Sequence, residues 1–193
     1  NLAHRVLSFT YKNFQAVPRP GALDDVDHAL LAAADAAFET VGGHLEAAHF
    51  KLAITEAMAL AQKANQYLNT KAPWQTIKTD RQAASTTLYV ALRVIDSLKI
   101  LLCPFLPHTC QRLHEYLGYD GFIAGPLEFT VIDEGSGRTH RGLTCEPTTW
   151  VGKWEPSALQ ADQALRPPLA LFKKLDDGIV AEELARMEME GVA

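Results

Sequence analysis

Cysteine is scarce in this sequence: Cys103, Cys110 and Cys145 are three residues in 193. An odd count at spacings that match no zinc pattern excludes a disulfide framework and speaks against a bound metal. The three are read as free, buried thiols of a reducing cytosol. No run of about 18 apolar residues is present, so no transmembrane helix is expected. The opening NLAHRVLSF has no basic region followed by an apolar one, so it is not read as a signal peptide, and a cytoplasmic location is expected. Positive charge is in deficit: 18 Lys and Arg against 23 Asp and Glu leave a net charge of -5. That excludes a protein whose whole surface attracts polyanions, though not one with a local basic patch. Also lacking are a glycine-rich phosphate loop, H-E-x-x-H and G-x-S-x-G. The seven histidines are scattered, and no nucleophile lies at a readable spacing from a base. On its own residues the chain reads as non-catalytic.

What is present is helical periodicity and an uneven charge. Residues 1–20 carry Arg5, Lys12 and Arg19 and no acid; residues 21–50 carry Asp24, Asp25, Asp27, Asp35, Glu39 and Glu46 and no Lys or Arg. Residues 51–81 turn basic again through Lys51, Lys63, Lys71, Lys78 and Arg81. If the two basic segments meet in space, they form a modest positive patch. Leu2, Val6, Phe9 and Phe14 give residues 1–16 a helical stripe, which VPRPG breaks. Asp24, Asp25 and Asp27 suit the start of a helix over 24–41, and Gly42-Gly43 reads as a break. A third helix spans 46–69 and is ended by Pro73. Residues 80–102 are apolar nearly all round and belong at the bundle centre. After Pro104 and Pro107 a short helix runs to Gly118. PLEFTVIDEGSGRTHRGLT alternates about a Gly-Ser-Gly turn, the pattern of a β-hairpin. The segment around Trp150 and Trp154 reads as an ordered loop, and Leu175, Ile179, Val180, Leu184 and Met187 give the end an amphipathic helix. The expected fold is mainly α: an up-down helical bundle over 1–120, with a small appended β-hairpin and a Pro/Trp-containing loop packed on it over 121–168, and a C-terminal helix over 169–193.

Two short stretches are open to a chemical reading. In NLAHR, Asn1 and Arg5 stand at i and i+4 and share a helix face. They are either a solvated pair or a two-pronged polar reader, since an amide both donates and accepts and a guanidinium presents a rigid fork of donors. In NQYLNTKAPWQTIK, Trp74 follows a proline where the chain should leave its helix. It is either a core residue or a platform for a stacked base, with Lys12, Lys71 and Lys78 as candidate phosphate contacts.

NLAHR, then NQYLNTKAPW, then LCPFLPHTCQRLHEYLG, then LFKKLDDGIVAEELARM, in this order and at these separations, resembles methionyl-tRNA synthetases in the region that follows their catalytic domain. The resemblance covers nearly the whole chain. The PFLPHT segment is also similar to the leucine, isoleucine, valine and cysteine enzymes of the same class. N-L-x-x-R combined with A-P-W is what points to methionine. The resemblance implies an all-α anticodon-binding domain in which Asn1, Arg5 and Trp74, with Pro73 setting the tryptophan's position, read the CAU anticodon of methionine tRNA, above all its cytosine. Such bases are read by stacking and by hydrogen bonds to their exposed edges. Arg5 would donate to cytosine's acceptors, and Asn1 would act either as donor or as acceptor. The H-I-G-H and K-M-S-K-S signatures of the catalytic domain are absent. The resemblance therefore implies a non-catalytic piece of an ATP-dependent ligase, with ATP, Mg and, in some members, Zn held by that missing domain, toward which the last helix would fold. The alternatives are the anticodon-binding domain of another enzyme of the class, or a helical module that docks a protein through its acidic 21–50 face or its C-terminal helix.

Overall fold

Helix α1 (Leu2–Phe14) presents Val6, Leu7 and Thr10 to the interior and ends at Gln15, which adopts a left-handed conformation with φ 58°. The structure, a computed structural model, describes residues 1–125, 128–135, 137–144, 150–172 and 178–190. Helix α2 (Asp25–Glu46) opens on a reciprocal cap: the Asp24 side chain accepts from the Val26 and Asp27 amides, and the Asp27 side chain accepts from the Asp24 amide. This satisfies donors that a helix start leaves orphaned. Helix α3 (Phe50–Lys71) packs on α2, and both pack on α5 (Arg81–Leu102). As its composition requires, α5 is the central helix: Leu88, Leu92, Ile95 and Leu101 are fully buried, each worth about 1.5–3 kcal/mol of transfer. Between them lies a single turn, α4 (Pro73–Thr76), and α6 (Pro107–Tyr116) follows.

Gly42-Gly43 does not break α2, which runs five residues further than the sequence suggests. The reason is tertiary. The Trp154 indole lies against the helix there, its Nε1–H donating to the Phe38 carbonyl at 3.2 Å. A Cβ at position 42 would stand 3.1 Å from that nitrogen. The glycine makes room for an aromatic ring and stays helical. Gly118, at the end of α6, has φ +88°, and a Cβ on it would fall 1.9 Å from the Ala164 carbonyl oxygen. Here glycine is needed both for the left-handed turn and for the close approach of two backbones.

The expected hairpin is present. Strands β1 (Glu128–Asp133) and β2 (Thr139–Thr144) pair antiparallel, Phe129 opposite Leu143 and Val131 opposite Arg141. Its strand residues are exposed or only partly covered. Residues 157–165 pack on the bundle. Leu159 and Leu165 enter the core, and residues 162–165 bond to Gln15 and Val17 of the α1–α2 connection. Helix α7 (Ile179–Glu190) leaves Val180, Leu184 and Met187 exposed; Leu175, expected on the same stripe, lies outside the described residues. Cys103 and Cys110 are free. Burial raises both thiols, Cys110 up to about 12; Cys145 is outside the described residues.

An ionic network sits inside this apolar frame. Lys99 and Asp96 pair at 2.6 Å with side chains each 4% exposed. Asp96 also accepts from Tyr119 (3.0 Å) and Ser157 (2.7 Å), so α5, the turn after α6 and the 150–172 segment are held at one carboxylate. Lys99 Nζ lies 3.2 Å from His114 Nδ1, and His114 Nε2 lies 3.2 Å from the Asp120 carbonyl. The consistent assignment is a neutral imidazole that donates from Nε2 and accepts at Nδ1. Burial, reinforced by the Lys99 charge, pushes His114 below the ordinary histidine range. In the unfolded chain His114 takes up a proton as pH falls through about 6.5, before the folded chain does. The unfolded state then binds more protons, and stability must fall on acidification. Thermal midpoints measured from pH 8 to pH 5 should show the wild-type chain losing stability below about 6.5, by at most about 1.4 kcal/mol per pH unit from this group. A His114→Gln chain should have a shallower slope; identical slopes would show that His114 is not the sensor.

Candidate nucleic-acid interface

Helix α3 ends at Lys71. Ala72 takes a left-handed conformation, φ 42°, and its amide donates to the Leu68 carbonyl. Pro73 then occupies the first position of α4, where a missing N–H costs nothing and the fixed φ is already helical. Proline therefore starts the new turn, and the left-handed alanine ends the old one. Thr76 Oγ1 donates back to the Lys71 and Ala72 carbonyls at 3.0 and 3.1 Å, closing the turn on itself. Pro73 is buried against the bundle, and Trp74 is left half-buried.

The indole is neither a core residue nor a bare platform. The Arg5 guanidinium carbon stands 4.7 Å from its centroid, a cation–π distance. The Phe9 ring meets it edge-on at 5.4 Å and 83°. Arg5 and Phe9 are one turn apart on α1, and α1 and α4 both pack on α5. The periodicity that makes α1 a helix thus delivers a cation and an aromatic to one tryptophan. Arg5 Nη2 also donates to Asn65 Oδ1 of α3 at 3.3 Å. Phe9 and Asn65 were not singled out from sequence, although Phe9 stands at i+4 from Arg5 and Asn65 opens the stretch that contains Trp74.

Asn1 is exposed and lies beside His4, Ala170, Leu171 and Phe172. Its carbonyl accepts the Arg5 amide. Lys71 is not a free cation: it bonds Asp24 at 2.5 Å and the buried Asp27 at 3.0 Å. Burial would lower its ammonium, but the hydrogen bonds to these two carboxylates outweigh it and raise the group above the usual lysine range. Lys71 in turn holds Asp24 below the usual carboxylate range. Sequence could not show this, because the partners lie on another helix. Lys12 and Lys78 are exposed, and neither has an ion pair among the described residues. Arg81 adds a cation that the sequence reading did not single out: it sits 4.4 Å over Phe14 and donates to the Asn13 carbonyl at 2.7 Å. Among the described residues no three His, Cys, Asp or Glu side chains converge to hold a metal ion.

Residues 17–123 match a family model described as the anticodon binding domain of methionyl tRNA ligase. That span includes Trp74 and Asn65 and begins after α1. A methionine–tRNA ligase of Chloroflexus aggregans is 55% identical over 188 residues, covering 97% of this chain and 31% of the relative. One of Roseiflexus sp. (strain RS-1) is 51% identical over 187 residues, with 97% and 32% covered. The chain thus spans about a third of the length of these curated relatives. Among solved structures it is similar to the apo form of Mycobacterium tuberculosis methionyl-tRNA synthetase, with a TM-score of 0.69 at 28% identity, covering 91% of this chain and 31% of that one. It is also similar to the same enzyme bound by methionyl-adenylate, with a TM-score of 0.67 at 29% identity.

Proposed function

The chain belongs to the methionyl-tRNA ligase family, as its anticodon-binding region, and on that premise we propose that it recognises the CAU anticodon loop of methionine tRNA. The observation that carries this reading is the Arg5 guanidinium set against the Trp74 indole, joined from two helices at one half-exposed spot. An unpaired loop base offers a π-face and a hydrogen-bonding edge. Trp74 meets the face. Arg5, a rigid fork of donors, meets N3 and O2 of cytosine, two adjacent acceptors. Uracil presents a donor at N3 and leaves one arm of the fork facing an N–H. Asn1 belongs to the wider reading surface as a second polar group on α1. Pro73 acts from below by seating the turn. Lys12, Lys78 and Arg81 serve the loop's phosphates, whereas Lys71 is occupied by Asp24 and Asp27 and serves the fold.

In the whole protein, ATP-dependent ligation of methionine belongs to a region beyond this chain, with which α7 and its exposed Val180, Leu184 and Met187 are suited to pack. The residues here supply no phosphate loop or metal-ligand cluster for it among those described, so no step of the ligation is assigned to them. The test is a titration of the chain with labelled anticodon stem-loops at one stated salt concentration, since phosphate contacts make affinity salt-dependent. A CAU loop should bind about tenfold more tightly than a UAU loop, the size expected when one good base-edge contact is lost. Equal affinities would overturn the assignment.

A further inference from the structure

Arg5 is held by less than its surroundings suggest. Its Nε is buried and has no hydrogen-bond partner, so that nitrogen does nothing to orient the guanidinium. The ring of Trp74 attracts the cation from one side, but a quadrupole does not fix rotation of the guanidinium in its own plane. Asn65 Oδ1, at 3.3 Å from Nη2, is the one hydrogen-bond acceptor for the Arg5 side chain among the described residues. The Asn65 amide is itself fixed. Its Nδ2 donates to the Ala61 carbonyl at 3.1 Å, one turn back on the same helix. A flipped amide would set oxygen against the Ala61 oxygen and N–H against the Arg5 N–H, so the observed orientation is the one with both bonds made.

We infer that Asn65 is a positioning residue for cytosine selection: through the chain Ala61 carbonyl, Asn65 amide, Arg5 Nη2, helix α3 sets the angle at which the Arg5 fork faces the base on Trp74. This inference rests on the anticodon reading above and deepens it. Cytosine is told from uracil by two donors meeting two acceptors at once, and such a bidentate contact is sensitive to in-plane rotation in a way that stacking is not. One N–H of Nη2 is engaged by Asn65, and the rest of the fork is left for N3 and O2. Without Asn65 the guanidinium keeps its charge and its place over the indole but loses its orientation. Overall attraction for the loop is then retained and discrimination is lost.

The experiment measures the ratio of dissociation constants for UAU and CAU stem-loops, with helix content followed by circular dichroism. Asn65→Ala should bring the ratio from about tenfold toward unity while affinity for the UAU loop stays unchanged. A merely structural role would weaken both loops alike and leave the ratio intact, and that result overturns the inference. Asn65→Asp keeps an acceptor for Arg5 and should hold the ratio well above that of Asn65→Ala. Asn65→Ala added to Arg5→Ala should change nothing further, because the two act in series. If Arg5→Ala lowers the ratio and Asn65→Ala does not, the inference falls and the anticodon reading stands. If neither Arg5→Ala nor Trp74→Ala affects either loop, both fall. Should Asn65→Ala fail to fold, Asn65→Ser, too short to reach Arg5, takes its place with the same expected ratio.

Discussion

A Trp74→Ala chain is expected to bind the CAU stem-loop about ten- to a hundredfold more weakly than the wild type, from the roughly 1–3 kcal/mol that one base–aromatic stack contributes. The loss should fall on CAU and UAU loops alike, since every base has a π-face, and this separates Trp74 from Arg5 and Asn65. The substitution also removes the ring under Arg5 and the edge partner of Phe9, so some loss of stability accompanies it. Trp74→Phe is the control: it keeps an aromatic face on the same turn and should recover much of the affinity. Unchanged binding by Trp74→Ala would remove the tryptophan from the interface.

The second large effect concerns the fold. Asp96→Ala is expected to destabilise the chain by about 3–5 kcal/mol, the range for breaking a buried ion pair from one side. Lys99 would remain 4% exposed with its countercharge gone, and Tyr119 and Ser157 would lose their shared acceptor. The midpoint of urea unfolding reads this directly, with the slope unchanged if unfolding stays two-state. Replacing both partners with apolar residues of like volume, Asp96→Leu with Lys99→Met, should restore a good part of the loss, because no unpaired charge is left. If Asp96→Ala costs less than about 1 kcal/mol, typical of exposed pairs, water must reach this site in solution. Trp74 and Asp96 share none of the partners described above, so the two losses should be independent: one in binding, one in stability.

These two cases also mark how far the sequence could be read. The helices were legible from local periodicity, and some of their ends from local chemistry, the Asp24 cap and Gly118; the proline before Trp74 marks the start of the next turn rather than the end of α3. The hairpin was legible from alternation about a glycine turn. Where a distant partner decides, local signals mislead. Gly42-Gly43 has the propensity of a break, yet Trp154 resting on it makes the glycine a seat. Lys71 reads as a loose cation beside an aromatic, yet it is neutralised by the first turn of α2. Lys99 and Asp96 sit three apart in a helix so apolar that its polar pair is hard to notice. At the candidate interface, periodicity placed Arg5 on a helix face and composition left Trp74 undecided. Their contact across two helices was not available from spacing, and the family resemblance is what joined them.

The capture of Lys71 has a directional consequence. With that charge neutralised, Asp24 is itself paired with Lys71, and the cations beside this turn toward α1 are Arg5, over the indole, and Arg81, over Phe14. The chain as a whole carries -5. A polyanion therefore meets a body of net negative charge on which Arg5 and Arg81 mark an attractive spot, felt within the roughly 8 Å over which charges act at physiological salt. If the chain binds an anticodon loop as proposed, this charge asymmetry orients the loop on approach, before any base is within reach of the indole.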